Sequence, residues 1–196
     1  MLNLYEELKT LIYAKGNKEI QCRAYLKYAA DVLFRDGGVD IVCDAEYRGH
    51  SGTSDYIVSG RGHESGSECR RVYLWELKAP QCPLFVKDPS SANRLFPSKE
   101  LLQAENQLLN YYDELRESAD FRSEFEITHP SNVCIGGIII GSDKTKVKLK
   151  AVPTRKASLC EKAYRCRRLF YRSDIRLMLW NTILDQLQPP RMEERI

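Results

Sequence analysis

The stretch that decides the fold reads Arg71-Val72-Tyr73-Leu74-Trp75-Glu76-Leu77-Lys78, an apolar run that ends in charged residues. A second run lies upstream and reads Ser54-Asp55-Tyr56-Ile57-Val58. The β-branched and aromatic residues predict a strand in each run, and the glycines and small polar residues of 59–67 predict the loop of a hairpin between them. Because a hairpin folds back on itself, we expect Asp55 and Glu76 to lie close together.

Three charged side chains are expected to converge at the end of this hairpin. Side chains alternate along a strand, so Glu76 and Lys78 point to one face. Two carboxylates about 5 Å apart repel by roughly 3 kcal/mol at an effective dielectric constant of about 20, which favours a raised pKa or a bound cation. Oxygen ligands favour Mg²⁺ over zinc, and its waters can be activated against a phosphate ester. The alternative is a solvated Glu-x-Lys pair at a sheet edge.

A downstream helix supplies a fourth candidate. Residues 101–115 have helical apolar spacing, which places Gln107 and Tyr111 four residues apart on one face. Asp55, Glu76, Lys78 and Gln107 together resemble the PD-(D/E)XK nuclease superfamily, in which an acid, Glu-x-Lys and a Gln on the following helix surround a metal. Tyr111 is expected to pack behind the site.

Local sequence narrows the resemblance. Four pieces in the same order are similar to the Shedu-type antiphage nuclease domain over about residues 40–141. They are Trp75-Glu76-Leu77-Lys78-Ala79-Pro80, Pro83-Leu84-Phe85, Ala104-x-x-Gln107-x-x-Asn110-Tyr111 and Gly137-Ile138-Ile139-Ile140-Gly141.

The resemblance implies a fold, a reaction and a role for each residue. The fold would be α/β with a restriction-endonuclease-like core, in which helices flank a central mixed β-sheet. The reaction would be Mg²⁺- or Mn²⁺-dependent hydrolysis of double-stranded DNA, carried out by a homo-oligomer in antiphage defence. Asp55, Glu76 and the Leu77 carbonyl would ligate the metal, Lys78 would position the attacking water, and Gln107 would hold the lysine or a phosphate.

The superfamily often adds a metal-ligating Glu from an early helix. Glu19 is the candidate in this sequence, and Glu46 on the preceding strand is the second choice. A surface acid is the alternative for both.

Positive charge is concentrated toward the C-terminal end. The chain carries a net charge of only +3, whereas residues 144–176 hold twelve Lys or Arg against Glu161 and Asp174. Such a block suits a polyanion and predicts DNA binding. The alternative for its lysine row is protection of an edge strand. The predicted DNA-binding residues are Lys144, Lys146, Lys148, Lys150, Arg165, Arg167 and Arg168.

The chain is expected to form a single domain over residues 1–188, followed by a tail at 189–196. Its parts would be N-terminal helices at 1–36, a catalytic core at 37–141, and a basic strand with C-terminal helices at 142–188. Patterning also predicts a set of individual elements. They are helices at 3–14, 18–34, 157–164 and 174–187, the last capped by Ser173, strands at 39–47, 133–141, 144–150 and 167–172, and a loop at 80–99.

Cysteine usage and hydropathy bear on location. The seven cysteines include no Cys-x-x-Cys pair, which favours reduced thiols over a disulfide framework. No apolar run has the length of a membrane span. We therefore expect a cytoplasmic protein without membrane contact.

Two other functions stay open from the sequence. A catalytically silent DNA-binding or interaction module could keep the nuclease fold. A hydrolase with a Cys or Ser nucleophile would need a nucleophile elbow or a His partner, and neither pattern is visible.

Overall fold

A computed structural model of the protein describes residues 2–34, 37–49, 52–64, 67–91, 93–145, 147–148, 156–172 and 174–188. The helices are α1 (Leu2–Tyr13), α2 (Glu19–Arg23), α3 (Ala30–Leu33), α4 (Lys99–Glu117), α5 (Ala119–Glu124), α6 (Lys156–Phe170) and α7 (Trp180–Gln186), with 3₁₀ turns at Leu26–Ala29 and Pro130–Asn132. The strands are β1 (Val39–Arg48), β2 (Thr53–Glu64), β3 (Ser67–Leu77), β4 (Phe85–Lys87), β5 (Leu95–Pro97), β6 (Val133–Ile139), β7 (Val147–Lys148) and β8 (Arg176–Met178).

A mixed five-stranded sheet in the order β1-β2-β3-β6-β8 forms the centre of the fold. The first three strands are antiparallel neighbours, whereas β6 and β8 join in parallel. A smaller sheet has the order β5-β4-β7. This mixed sheet with flanking helices confirms the predicted α/β class and is compatible with a restriction-endonuclease-like fold.

Both faces of β3 are buried, which explains why its sequence is apolar at successive positions. Val72 and Leu74 pack on the side of α4, while Tyr73, Trp75 and Leu77 pack on the side of α1 and α7. By the same alternation Glu76 belongs to the α4 side. The sheet therefore directs this carboxylate toward the helix that carries Gln107.

Close packing next to β3 depends on glycine in β6. A Cβ on Gly136 would lie 2.4 Å from the Trp75 indole nitrogen, and one on Gly137 would lie 2.1 Å from the Arg176 carbonyl oxygen. The Gly-Gly pair thus allows β6 to approach β3 and β8 together.

Several predicted elements are wrong in extent or type. The loop expected at 59–67 is strand at every residue of this range that the structure describes, because β2 and β3 stay paired from Tyr56–Trp75 out to Glu64–Ser67. The loop expected at 80–99 contains β4 and β5, and the helix expected at 18–34 is broken into α2, a 3₁₀ turn and α3.

The C-terminal part differs most from the prediction. The strand expected at 167–172 is wrong, because α6 continues to Phe170, and Arg167 near its end donates a hydrogen bond to the hydroxyl of Tyr171, the residue after the helix. The helix expected at 174–187 is wrong over β8, and helix begins only at Trp180. Of the basic strand at 144–150, only Val147–Lys148 is described as strand. Lys146, Lys150, the Ser173 cap and the tail at 189–196 lie outside the described residues.

In the described part of the chain, no helix has both the length and the apolar character that a bilayer crossing requires.

Candidate functional site

The candidate site lies where β2 and β3 separate. The last paired residues are Tyr56 and Trp75, so Asp55 and Glu76 stand just beyond the ladder. The Leu77 N–H donates a hydrogen bond to Asp55 Oδ2 at 3.0 Å. Because the N–H and C=O of one strand residue point to the same side, the Leu77 carbonyl also faces the side of Asp55.

Lys78 links the strand end to α4. Its Nζ lies 2.5 Å from Glu76 Oε1 and 2.9 Å from Gln107 Oε1. The structure therefore brings together the four side chains that the sequence singled out, and their catalytic roles stay predictions.

The backbone of Lys78 is held as firmly as its side chain. Its N–H donates to the Ile139 carbonyl at 2.9 Å, and its own carbonyl accepts from Trp180 Nε1 at 2.7 Å. Trp180 is completely buried. Sequence reasoning missed this indole, because a buried Trp that reaches a backbone oxygen leaves no mark in local sequence.

Glu76 is a buried carboxylate whose charge is only partly balanced. Its exposed fraction is 1%, and no described residue donates a hydrogen bond to its Oε2 atom. Burial, then the charge of Asp55, raises the pKa of Glu76 to about 8, although Lys78 acts in the opposite direction. An unpaired oxygen beside a second carboxylate is the arrangement that a hard divalent cation would complete.

Lys78 keeps its charge at neutral pH. Burial on its own would lower the pKa of its ammonium group, but Glu76, followed by Asp55 and Glu19, outweighs burial and raises it. The site thus contains a permanent cation between acidic groups.

Glu19, at the start of α2, faces the same site. Burial raises the pKa of Glu19, and the charge of Asp55 raises it further. A hydrogen bond from the backbone N–H of Ala79 acts against this rise. By contrast, Glu46 lies 2.5 Å from Arg23 and is 53% exposed. The geometry therefore favours Glu19 over Glu46 as the additional acid.

These acids do not form a closed metal cage. Among the residues that the structure describes, no group of three or more His, Cys, Asp or Glu side chains could hold a metal ion. Asp55 and Glu76 would be the protein carboxylates of the site, with the Leu77 carbonyl beside them. Such an open site suits Mg²⁺, which keeps several waters and takes substrate phosphate as a ligand.

Gln81 ties the N-terminal helices to this end of β3. Its Nε2 donates to the carbonyls of Leu11, Ile12 and Ala14 at 3.0–3.1 Å, and its Oε1 accepts from the Lys18 N–H at 3.2 Å. Since Lys18 precedes Glu19, this one side chain sets where α2 begins relative to Lys78. No local sequence pattern marks Gln81 for this role.

Tyr111 packs against the buried cluster on the α4 side of the sheet, as predicted, and its hydroxyl also joins the polar network. It shares a hydrogen bond with Gln107, and its pKa is raised by burial, then by the charge of Glu76. With Gln107 Oε1 on Lys78, the amide nitrogen of Gln107 is the group that can donate to Tyr111. Tyr111 therefore helps to keep the amide oriented toward the lysine.

The predicted DNA-binding residues fall into different settings. Arg165 and Arg168 are exposed on α6, and Lys144 is exposed with its Nζ 4.0 Å from the centre of the Tyr13 ring. Arg167 instead pairs with Glu105 of α4 through an Nε–Oε1 bond of 2.7 Å, and its side chain is only 15% exposed. The side chain of Lys148 is not among those described.

Comparison with known proteins identifies the family. The sequence matches the family model "Shedu protein SduA, C-terminal" over residues 3–184. The chain therefore belongs to this family. No curated protein matches the sequence.

Glu76→Gln should stabilise the folded protein at alkaline pH. Because folding raises the pKa of Glu76 from 4.5 to about 8, its contribution to stability is complete below pH 4.5 and is lost as the pH rises toward 8. The neutral amide avoids this loss. The free energy of unfolding of the Glu76→Gln variant should exceed that of the original protein by at least about 1 kcal/mol at pH 8.5, with little difference between the two proteins at pH 5. Denaturant melts in chelator measure both values.

The matched control for this experiment is Glu117→Gln, at the end of α4, where the carboxylate is 71% exposed. It should show no pH-dependent difference. A Glu76→Gln effect that is equal at both pH values would mean that the carboxylate is not destabilised by burial.

Proposed function

We propose that this chain is a Mg²⁺- or Mn²⁺-dependent DNA endonuclease of the PD-(D/E)XK superfamily that hydrolyses phosphodiester bonds in antiphage defence. The observation that carries the proposal is the Lys78 ammonium, held between Glu76 and Gln107 at 2.5 and 2.9 Å, next to Asp55 at the Leu77 peptide. Membership of the Shedu family suggests the defence context.

Asp55, Glu76 and the Leu77 carbonyl would hold the metal, with Glu19 facing it from α2. The unpaired, buried Oε2 of Glu76 supports this assignment. When bound, Mg²⁺ would supply Lewis acidity toward the scissile phosphate and a water of lowered pKa. Its charge would also offset the repulsion between the two carboxylates.

Lys78 would orient the reacting groups and stabilise charge. An ammonium group has three N–H donors, and Glu76 and Gln107 occupy two of them. The third is available for the attacking water or a phosphate oxygen. Because the pKa of Lys78 is raised, it would act as a donor to developing negative charge rather than as the base.

Gln107 and Tyr111 would keep that ammonium in one place. The carboxamide oxygen accepts from Lys78, and Tyr111 restrains the same amide. Trp180 and Ile139 fix the backbone from the other side. Holding a reacting group in one geometry lowers the barrier by avoiding reorganisation during the reaction.

Double-stranded DNA would be bound with the help of α6. The exposed Arg165 and Arg168 would contact phosphates, and Lys144 would add a further cation. Arg167 would serve to attach α6 to α4 through Glu105.

A second candidate is a DNA-binding module without catalysis. One observation favours it: among the described residues, no group of three or more His, Cys, Asp or Glu side chains is arranged so that it could hold a metal ion. Cleavage assays separate the two candidates, since both predict DNA binding and only one predicts hydrolysis.

Lys78→Ala should reduce plasmid cleavage by at least about a hundredfold while DNA affinity changes little, because the lost group acts mainly in the transition state. Nicked and linear products are quantified in Mg²⁺, with EDTA as the metal-free arm. Lys99→Ala removes an exposed lysine at the start of α4 and is the matched control. Cleavage that survives Lys78→Ala, or that persists in EDTA, would contradict the proposed reaction.

Removing two phosphate contacts should flatten the salt dependence of DNA binding. The double variant Arg165→Ala/Arg168→Ala should change the slope of log K against log salt by up to roughly two units, since each contact contributes about 0.9. Fluorescence anisotropy with a labelled duplex measures it. The control Lys27→Ala/Lys99→Ala removes two exposed cations elsewhere. Equal slopes for the two double variants would exclude α6 as the DNA-binding surface.

A further inference from the structure

A pocket of about 330 Å³ lies between the small sheet and α6, apart from the residues of the candidate site. This volume is at the lower end of the range for small-ligand sites. Most of its lining is apolar and comes from β4, β5 and α6. The apolar lining residues are Phe85, Leu95, Pro97, Leu159, Ala163 and Phe170.

Apart from Asn93 and Cys166, the polar lining of this pocket is cationic. Arg94, Lys162 and Arg167 line it, and none of the described lining residues is Asp or Glu. Lys162 forms no salt bridge with another described residue. Arg94 pairs with Asp88 at 3.3 Å, but its side chain is 62% exposed, so this contact is weak.

Arg167 and Phe170 contact each other in the lining of the pocket. Arg167 uses Nε and Nη2 to bind Glu105. Its guanidinium centre lies 4.6 Å from the centre of the Phe170 ring. Phe170 is nevertheless 70% exposed. A large aromatic side chain in solvent, beside cations and an apolar slot, offers a face for a flat ligand.

We propose that this pocket binds a nucleotide, with the base against Phe170 and the apolar walls and the phosphate at Lys162 and Arg94. An apolar slot accepts a heterocyclic ring, whereas the adjoining cations require an anionic group on the same ligand. Inorganic phosphate has no apolar part and a neutral nucleoside has no charge, so each satisfies only half of the site. The ligand is either a free nucleotide or an unpaired nucleotide of a single strand, which share this chemistry.

Cys166 provides a direct reporter of occupancy. It lines the pocket and is the exposed cysteine among those described, whereas Cys22 and Cys160 are buried. Modification of Cys166 by a maleimide is followed by peptide mass spectrometry of the full-length chain, which separates it from the other thiols. A bound nucleotide should slow its modification at least about threefold at saturation. Because this readout needs no nuclease activity, the nucleotide proposal can fail while the nuclease proposal holds. The nuclease proposal can likewise fail while the nucleotide proposal holds.

Four probes distinguish the ligand chemistry and its source. They are dAMP, deoxyadenosine, inorganic phosphate and a (dA)₁₀ oligonucleotide. Protection by dAMP identifies a free nucleotide as sufficient, and protection by (dA)₁₀ alone identifies a strand as the source. Both outcomes support the proposal. No protection by either nucleotide probe, or equal protection by inorganic phosphate, overturns it.

Variants test whether protection comes from this pocket. Phe170→Ala should lower the affinity for the protecting ligand roughly tenfold through lost stacking. Lys162→Ala should lower this affinity several-fold. The matched controls are Leu169→Ala, where the neighbouring side chain is 72% exposed, and Lys27→Ala, which removes an exposed lysine of the 3₁₀ turn at Leu26–Ala29. Neither control residue lines the pocket, so both should retain wild-type protection. Protection that is unchanged in both Phe170→Ala and Lys162→Ala would overturn the assignment.

Discussion

The burial of Glu76 beside Asp55 is the constraint on which the rest of the site depends. A carboxylate that is 1% exposed, with one oxygen unpaired and a second carboxylate next to it, is expensive to ionise. Lys78 supplies one positive charge, while Glu19 adds further negative charge nearby. A fold selected for stability alone would not place these groups at the end of a strand that is buried on both faces. The shortage of positive charge is understandable if a divalent cation completes the site.

The surrounding elements position the charged groups rather than neutralise them. Trp180 and β6 hold the backbone of Lys78, α4 holds its ammonium through Gln107, and Gln81 connects the α1–α2 junction to the same strand end. The site therefore draws on both helical layers and on three strands, β2, β3 and β6. This explains how side chains far apart in sequence keep one geometry without a metal cage of three acids.

Local patterns in the sequence predicted the centre of this arrangement. The apolar runs before Glu76 and after Asp55, and the helical spacing around Gln107, each contain their own signal, and the structure joins them as expected. The prediction of a long loop at 59–67 was wrong because pairing between β2 and β3, out to Glu64 and Ser67, overrides the turn propensity of its glycines. The strand predicted at 167–172 was wrong because this end of α6 is held by the bond from Arg167 to Glu105, which is 62 residues away in the sequence. Strand β8 depends on a parallel partner, β6, and no local pattern reveals such pairing. Trp180 and Gln81 act on backbone atoms, so residue type alone could not mark them.

In the proposed function, Asp55 and Glu76 hold a divalent cation next to the Leu77 carbonyl. Anomalous scattering from crystals of the protein soaked in Mn²⁺ tests it most directly, because the signal locates the ion without assuming any substrate or activity. We expect a peak between the two carboxylates, at bonding distance from both and from the Leu77 oxygen. An ordered Asp55–Glu76 pair with no peak between them, in crystals that show Mn²⁺ elsewhere, would contradict it.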